Sequence, residues 1–364
     1  MKYKRSTKCS LKFTNQGKIN ELDKILPEYA RVVNIFIEIF WSETLQKKDL
    51  LKAVLHKVDS WFTERMKKVA AREALDMISA AKAKALEAEE EPVIPVHYGK
   101  SMSLSSTIVT MNKSKSPSGE FDYWLHLASI GHNIIINLPI KLHKHFHELA
   151  KTGRLLASYI IHKNYVQLCF EFKTDPKKSS GALIGLDTGI KHLASLSNGE
   201  MLGNDVEKLI TRINRRKRGS KGRKRAQRAL RQYIDETAKQ VSSMPNLRLL
   251  VVENLKGLNK QTKKRRRLSK NMRRVIGIWP YRYWLLRLQQ GSERECFSFR
   301  SVSPAYTSTT CRICGYSDKR NRKGEAFYCL DCDHQEHADT HAAKKVLFRF
   351  LDGPYGAVFK CESI

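Results

Sequence analysis

The chain has 364 residues, 41% of them hydrophobic, enough to bury cores in two or three structural units and to exclude a disordered tail or a fibrous array. Its 67 basic and 36 acidic residues leave a net charge of +31, a self-repulsion that a polyanion offsets, and nucleic acid is the obvious polyanion. No run of about 18 uncharged apolar residues occurs, so no membrane span is expected.

The N-terminus, MKYKRSTKCSLKF, has no apolar core of signal-peptide length, and a cytoplasmic, nucleoid-associated protein is expected. Eight cysteines are too few for a disulfide scaffold, and four of them stand in two CxxC pairs, as suits a reducing compartment and a metal site.

KYKRSTKCSLKF reads as a first strand. From Ile19 to about Glu91 the chain is rich in Ala, Leu and charge, with apolar residues at helical spacing: Val32, Phe36, Ile39 and Phe40, then Val54, Val58, Trp61 and Phe62. Two or three helices are predicted, ended by Pro92 and Pro95, with Trp41, Trp61 and Phe62 as core contacts. Alternation then predicts a hairpin from Tyr123–Leu127 and Ile134–Leu138 across IGHN, and a second from LLASYIIH and YVQLCFEFK. Such strands build a small barrel or an open sheet, with the helices inserted between its first two strands. His143, His145 and His147 lie between the hairpins. In a helix only His143 and His147 share a face, and the segment reads as a basic surface with Lys141 and Lys144 that touches phosphates. KTDPKKSSG is a linker.

In the second half, ALIGLDTGIKHLASLSNGE opens with an apolar strand ending at Asp187. NLRLLVVENLKGL repeats the pattern and runs into Glu253. An acid is costly to bury unless paired or bound to a cation, and two in one domain make a shared metal site plausible. A third acid, Asp339 in HADTHAAKKVLFRFL, starts a helix with Ala342, Val346 and Phe350 on one face, where it could instead be an N-cap. Three carboxylates on two strand ends and a helix start match the needs of two-metal phosphodiester hydrolysis by Mg²⁺.

Cys311-x-x-Cys314, fourteen intervening residues and Cys329-x-x-Cys332 suit one tetrahedral, structural Zn²⁺. Two basic runs remain. Residues 211–233 contain Arg215, Arg216, Arg223, Lys224 and Arg228, the last three on a helix with Ala226, Leu230, Ile234 and Val241 on its apolar face. Residues 259–274 carry nine basic residues and no acid, Arg265, Arg266 and Arg267 among them. Both runs suit contact with a phosphate backbone.

IGLDTGIKHLASLSNGE, VVENLKGL, SPAYTSTTCRICG and the DxxAA of Asp339–Ala343 together resemble the RuvC nuclease of the TnpB family, transposon-encoded RNA-guided nucleases related to compact type V CRISPR effectors. The resemblance covers about residues 182–350.

It implies an α/β plus β fold. An RNase H-like RuvC domain (182–304 and 333–364) would carry an inserted zinc ribbon (305–332). A wedge-like β-barrel (1–18 and 96–178) with an inserted helical recognition lobe (19–95) would precede it. Asp187, Glu253 and Asp339 would be catalytic and hold two Mg²⁺. The partners implied are a guide RNA and double-stranded target DNA beside a short adjacent motif, with the protein a monomer or a homodimer on one guide and no membrane.

His341 stands where the family usually has Asn, and Asp333 where Gly is common, a position at which Asp tolerates left-handed backbone. A guide-carrying repressor that does not cut, and a guide-free zinc-ribbon DNA-binding or transposition accessory protein, are the alternatives.

Overall fold

The computed structural model describes residues 2–41, 54–88, 90–114, 119–129, 134–255 and 269–353. The chain divides into two units, Lys2–Lys173 and the residues from Thr174 onward.

The first unit begins with β1 (Lys2–Ser10), α1 (Gln16–Trp41), α2 (Glu64–Ala88), β2 (Ser101–Ser105) and β3 (Val109–Lys113). It continues with β4 (Tyr123–Ala128), β5 (Ile135–Ile140), the short α3 (Lys144–Ala150), β6 (Arg154–His162) and β7 (Tyr165–Lys173). Both hairpins form, β4 with β5 and β6 with β7. They belong to different sheets, ordered β1-β7-β6-β2 and β3-β4-β5, each sharing a core with the helices.

The first strand pairs antiparallel with the last, Lys2 opposite Lys173 and Ser10 opposite Tyr165, so the helices interrupt one sheet in sequence without breaking it in space. Phe62 is buried, but Trp61 is 46% exposed and meets the edge of Phe62. The predicted core role of Trp61 is thereby corrected: Phe62 takes the buried position and the Trp61 ring lies against it at the surface. The IGHN turn lies outside the described residues.

The second unit is built on β8 (Ala182–Asp187), β9 (Ala194–Leu196), β10 (Met201–Leu202), α4 (Val206–Asn214), α5 (Lys221–Ser242) and β11 (Leu247–Glu253). Next come α6 (Lys270–Ile278), α7 (Tyr281–Arg294) and β12 (Ser298–Val302). Three small strands, β13 (Arg322–Lys323), β14 (Ala326–Tyr328) and β15 (Gln335–His337), precede the last helix, α8 (Ala338–Leu351).

The main sheet has the order β10-β9-β8-β11-β12, with β8, β11 and β12 parallel and β9 antiparallel to β8. All seven residues of β11 are buried, as expected of a parallel strand covered on both faces. Leu249 and Val251 pack on Val346 and Phe350 of α8, while Leu250 and Val252 join the core that holds Leu230, Ile234, Trp284 and Leu288 of α5 and α7. Side chains alternate along a strand, so Leu249, Val251 and Glu253 face α8 together. On β8 the same face carries Leu183, Gly185 and Asp187. A Cβ added to Gly185 would lie 2.1 Å from the Ala343 carbonyl oxygen, so the helix rests directly on the strand backbone.

Candidate active site and zinc ribbon

Asp187 and Glu253 end adjacent parallel strands. Leu186 is opposite Val252, which leaves the two acids side by side at strand spacing, about 4.8 Å. Asp339 lies four residues before Ala343, about 6 Å back along α8. Asp187 lies two residues beyond Gly185, about 7 Å along β8. Both steps lead to the same end of the sheet, and the Asp187 carboxyl feels the charges of both Glu253 and Asp339. Three acids widely separated in sequence thus converge above the carboxyl ends of β8 and β11.

Burial, then the charges of Glu253 and Asp339, push the Asp187 carboxyl up to about 7, against the opposing charge of Arg322. Glu253 is 8% exposed, and burial raises it too, opposed by a hydrogen bond from Thr307 and by Arg349 and Arg322. The Thr307 hydroxyl donates to Glu253 Oε1. The Tyr281 hydroxyl donates to the Glu253 carbonyl at 3.0 Å and accepts the Leu255 N–H at 2.8 Å, which fixes the strand end.

Asp339 is not the cap of α8. His337 is the N-cap, its Nδ1 accepting the Asp339 N–H at 3.3 Å. The Asp339 carboxylate instead faces Arg322, whose Nη2 lies 2.6 Å from its Oδ1. Sequence reasoning missed Arg322. It sits in the basic stretch between the CxxC pairs, and nothing in its spacing marks it; only the fold of the ribbon brings it to the acids.

Excess negative charge in a buried site is the condition under which a hard divalent cation is held by oxygen ligands, and these three carboxylates fit Mg²⁺ in donor type and number. The four cysteines fit zinc. The Sγ atoms of Cys311 and Cys332 are 3.7 Å apart and those of Cys314 and Cys329 are 3.5 Å apart, close to the edge of about 3.8 Å that Zn–S bonds of about 2.3 Å demand of a tetrahedron. The two turns match: Gly315 N–H donates to the Cys311 carbonyl and Asp333 N–H to that of Cys329. Gly315 has φ +80° and Asp333 φ +55°, the left-handed backbone expected of Asp333.

The expected nucleic-acid contacts fare unequally. Lys144, Arg215, Arg216, Lys224 and Arg228 are exposed. A shallow pocket beside Arg215 and Arg216 is lined by Glu207, Lys208, Thr211 and Arg212. Arg223 donates to the carbonyls of Ile213 at 2.9 Å and Arg216 at 3.0 Å, so its guanidinium closes the C-terminal end of α4. Lys141 donates to the Gly119 carbonyl at 2.7 Å and lies 3.9 Å from Asp122. His143 bonds Thr7 and the Lys8 carbonyl and stacks on His145 at 6.2 Å between ring centroids, and His145 lies 3.6 Å from Glu148; among the described residues the three histidines form no ligand cluster. Arg265, Arg266 and Arg267 lie outside the described residues.

Residues 285–346 match the Cas12f1-like, TNB domain family model. A protein of Escherichia coli K12 named "Putative RNA-guided DNA endonuclease InsQ" is 26% identical over 202 residues, 47% of this chain and 50% of that protein. The CRISPR-associated endodeoxyribonuclease Cas12f1 of Sulfoacidibacillus thermotolerans is 30% identical over 80 residues, 22% of this chain and 19% of its own length. The resemblance to the TnpB family is borne out. The cryo-EM structure of a Cas12f1–sgRNA–target DNA complex superposes with a TM-score of 0.59 at 14% identity, covering 92% of this chain and 83% of that one, a likeness of fold. The chain thus has the mixed α and β architecture of a compact Cas12 effector. The sequence matches span half or less of these two relatives. Among the described residues no helix is long and apolar enough to cross a membrane.

Proposed function

We propose that the chain is an RNA-guided DNA endonuclease whose RuvC-like site is formed by Asp187, Glu253 and Asp339. The observation that carries this reading is the convergence of the three carboxylates at the end of the β8–β11 sheet, beneath the start of α8. The names of the sequence relatives support it, as does a net charge of +31, which suits holding a guide RNA and a DNA duplex together. Retention of all three acids favours cutting over a repressor that only binds.

In this reading the domain layout is a wedge-like barrel with an inserted helical lobe, then an RNase H-like domain interrupted by the ribbon. The Cys311, Cys314, Cys329 and Cys332 thiolates hold a structural Zn²⁺. Asp187, Glu253 and Asp339 would hold two Mg²⁺, which would supply an activated water and charge stabilisation at the leaving oxygen. The chain's own residues prepare the site. Thr307 fixes the Glu253 carboxylate, and Arg322 orients Asp339 and offsets part of the negative charge before a phosphate arrives. Lys224 and Arg228, on the open face of α5, bind backbone phosphates.

The test is to sequence the RNA that co-purifies with the chain, then offer a plasmid matching its guide segment in Mg²⁺. Linear product is expected from the wild type. Asp187→Ala should keep target binding and lose cutting, and undiminished cleavage by Asp187→Ala would remove that residue from catalysis.

A further inference from the structure

Beside the four-cysteine ribbon site, a second cluster draws one residue each from the knuckle, β15 and α8: His334, Glu336 and His341. His341 is fully buried. Its Nε2 lies 3.1 Å from the Thr310 carbonyl oxygen, which can only accept, so Nε2 carries the proton and Nδ1 is a bare lone pair. That lone pair points at Glu336 Oε2, 3.6 Å away, another acceptor. His334 Nε2 lies 3.5 Å from the same oxygen.

Neither His341 Nδ1 nor His334 Nε2 has a hydrogen-bond partner, although both atoms are buried. The bare His341 Nδ1 and the Glu336 carboxylate oxygen repel at this distance unless something positive lies between them, and buried polar atoms without partners are rare. Ligands held about 2.0–2.1 Å from a tetrahedral ion stand about 3.3–3.4 Å apart. The observed separations approach that edge, and all three ligand atoms lie within 4.8 Å of one another.

We propose that His334 Nε2, Glu336 Oε2 and His341 Nδ1 form a second metal site for a divalent transition ion, zinc foremost, separate from the tetrathiolate site and from the three carboxylates. Its surroundings are those of a ligand set. The Phe327 ring stacks on His341 at 3.6 Å between centroids and 11° between planes, and with the Thr310 carbonyl it fixes the imidazole. Lys344 binds Glu336 Oε1 and holds the carboxylate in place. Arg312 Nε reaches Oε2 at 3.3 Å from a side chain 29% exposed, able to turn outward as an ion arrives. An N,N,O donor set suits zinc, cobalt or nickel and disfavours magnesium. Occupied, the site ties the second knuckle and β15 to α8, two residues beyond Asp339.

Metal content of the purified full-length chain, measured by plasma mass spectrometry after exhaustive dialysis into chelator-free buffer with zinc, tests this. About two zinc ions per chain are expected, one tetrathiolate and one of this site. His341→Asn and Glu336→Gln should each halve the count. A wild type that holds one zinc and takes up no more overturns the proposal, as do both variants retaining two. Should a variant fold poorly, cobalt titration of the wild type decides: the second equivalent should bring ligand-field absorption without added thiolate-to-cobalt charge transfer. Thiolate bands growing with that equivalent overturn the assignment.

Discussion

Asp187→Asn should make the metal-free protein more stable while removing cleavage, because the site trades stability for charge. Asp187 is raised from 3.8 to about 7 by burial and by Glu253 and Asp339. Holding it ionised above pH 7 therefore costs the folded chain about 4 kcal/mol at most, at 1.36 kcal/mol per pKa unit, and roughly half that once the partial exposure of Asp187 is allowed for. The folded-state value is the higher one, so the penalty is absent below pH 3.8, grows as pH rises toward about 7 and is complete above it.

Asparagine keeps the shape and can still accept the Thr188 backbone hydrogen bond, but carries no charge. For a unit of this size the relief corresponds to a melting rise of roughly 4–10 °C at pH 8, shrinking to about two-fifths of that at pH 5. The assay is calorimetric melting of wild type and variant at both pH values in magnesium-free buffer without chelator, so that metal on the four cysteines would not be stripped. Adding Mg²⁺ at pH 8 should raise the wild-type transition and leave the variant nearly unmoved. A variant less stable than wild type at pH 8, or an equal gain at pH 5 and pH 8, would refute the charge-frustration argument.

Arg322 pulls both Asp187 and Glu253 down, so Arg322→Gln should move the pH midpoint of Mg²⁺ binding upward; calorimetric titration showing an unchanged or lower midpoint contradicts this. Gly185→Ala would place a Cβ 2.1 Å from the Ala343 carbonyl, forcing α8 and Asp339 off the sheet. A loss of about 1–3 kcal/mol in stability and about 10²-fold in cleavage rate is expected, and unaltered values would show that α8 need not sit so close. Arg228→Ala should weaken nucleic-acid binding uniformly across sequences and lower the salt slope by about one, as measured by titration at several salt concentrations; a change confined to one sequence would mean base contact instead.

The acids were legible in the sequence because an apolar run ending in a carboxylate is rare on chemical grounds, and β8 and β11 both display it. The ribbon was legible because cysteine pairs with two residues between them at each end of a short loop have little other use. The α8 face was legible from Ala342, Val346 and Phe350, and the α5 face from Ala226, Leu230, Ile234 and Val241, all now buried.

What failed depended on contacts across the fold. Arg322 reaches Asp339 only once the ribbon folds back toward α8, and His337 rather than Asp339 caps that helix because the helix begins at Ala338, which puts Asp339 inside its first turn. Arg223 looked like a phosphate ligand and instead satisfies helix-end carbonyls, since a cation near a helix terminus finds acceptors before it finds solvent. The hairpins of the first unit were legible by alternation, but not their division into two sheets, which the local pattern does not encode. His341, notable only as a departure from Asn, proves to be a fully buried imidazole stacked on Phe327.

The central claim is that Asp187, Glu253 and Asp339 together bind the ions that cut DNA. An experimental structure of the guide- and target-bound chain soaked in Mn²⁺, with anomalous density recorded at the manganese edge, addresses it directly. Peaks bridged by oxygens of all three residues are the predicted result; manganese bound elsewhere, with this trio bare in a complex that still cleaves, would contradict the account.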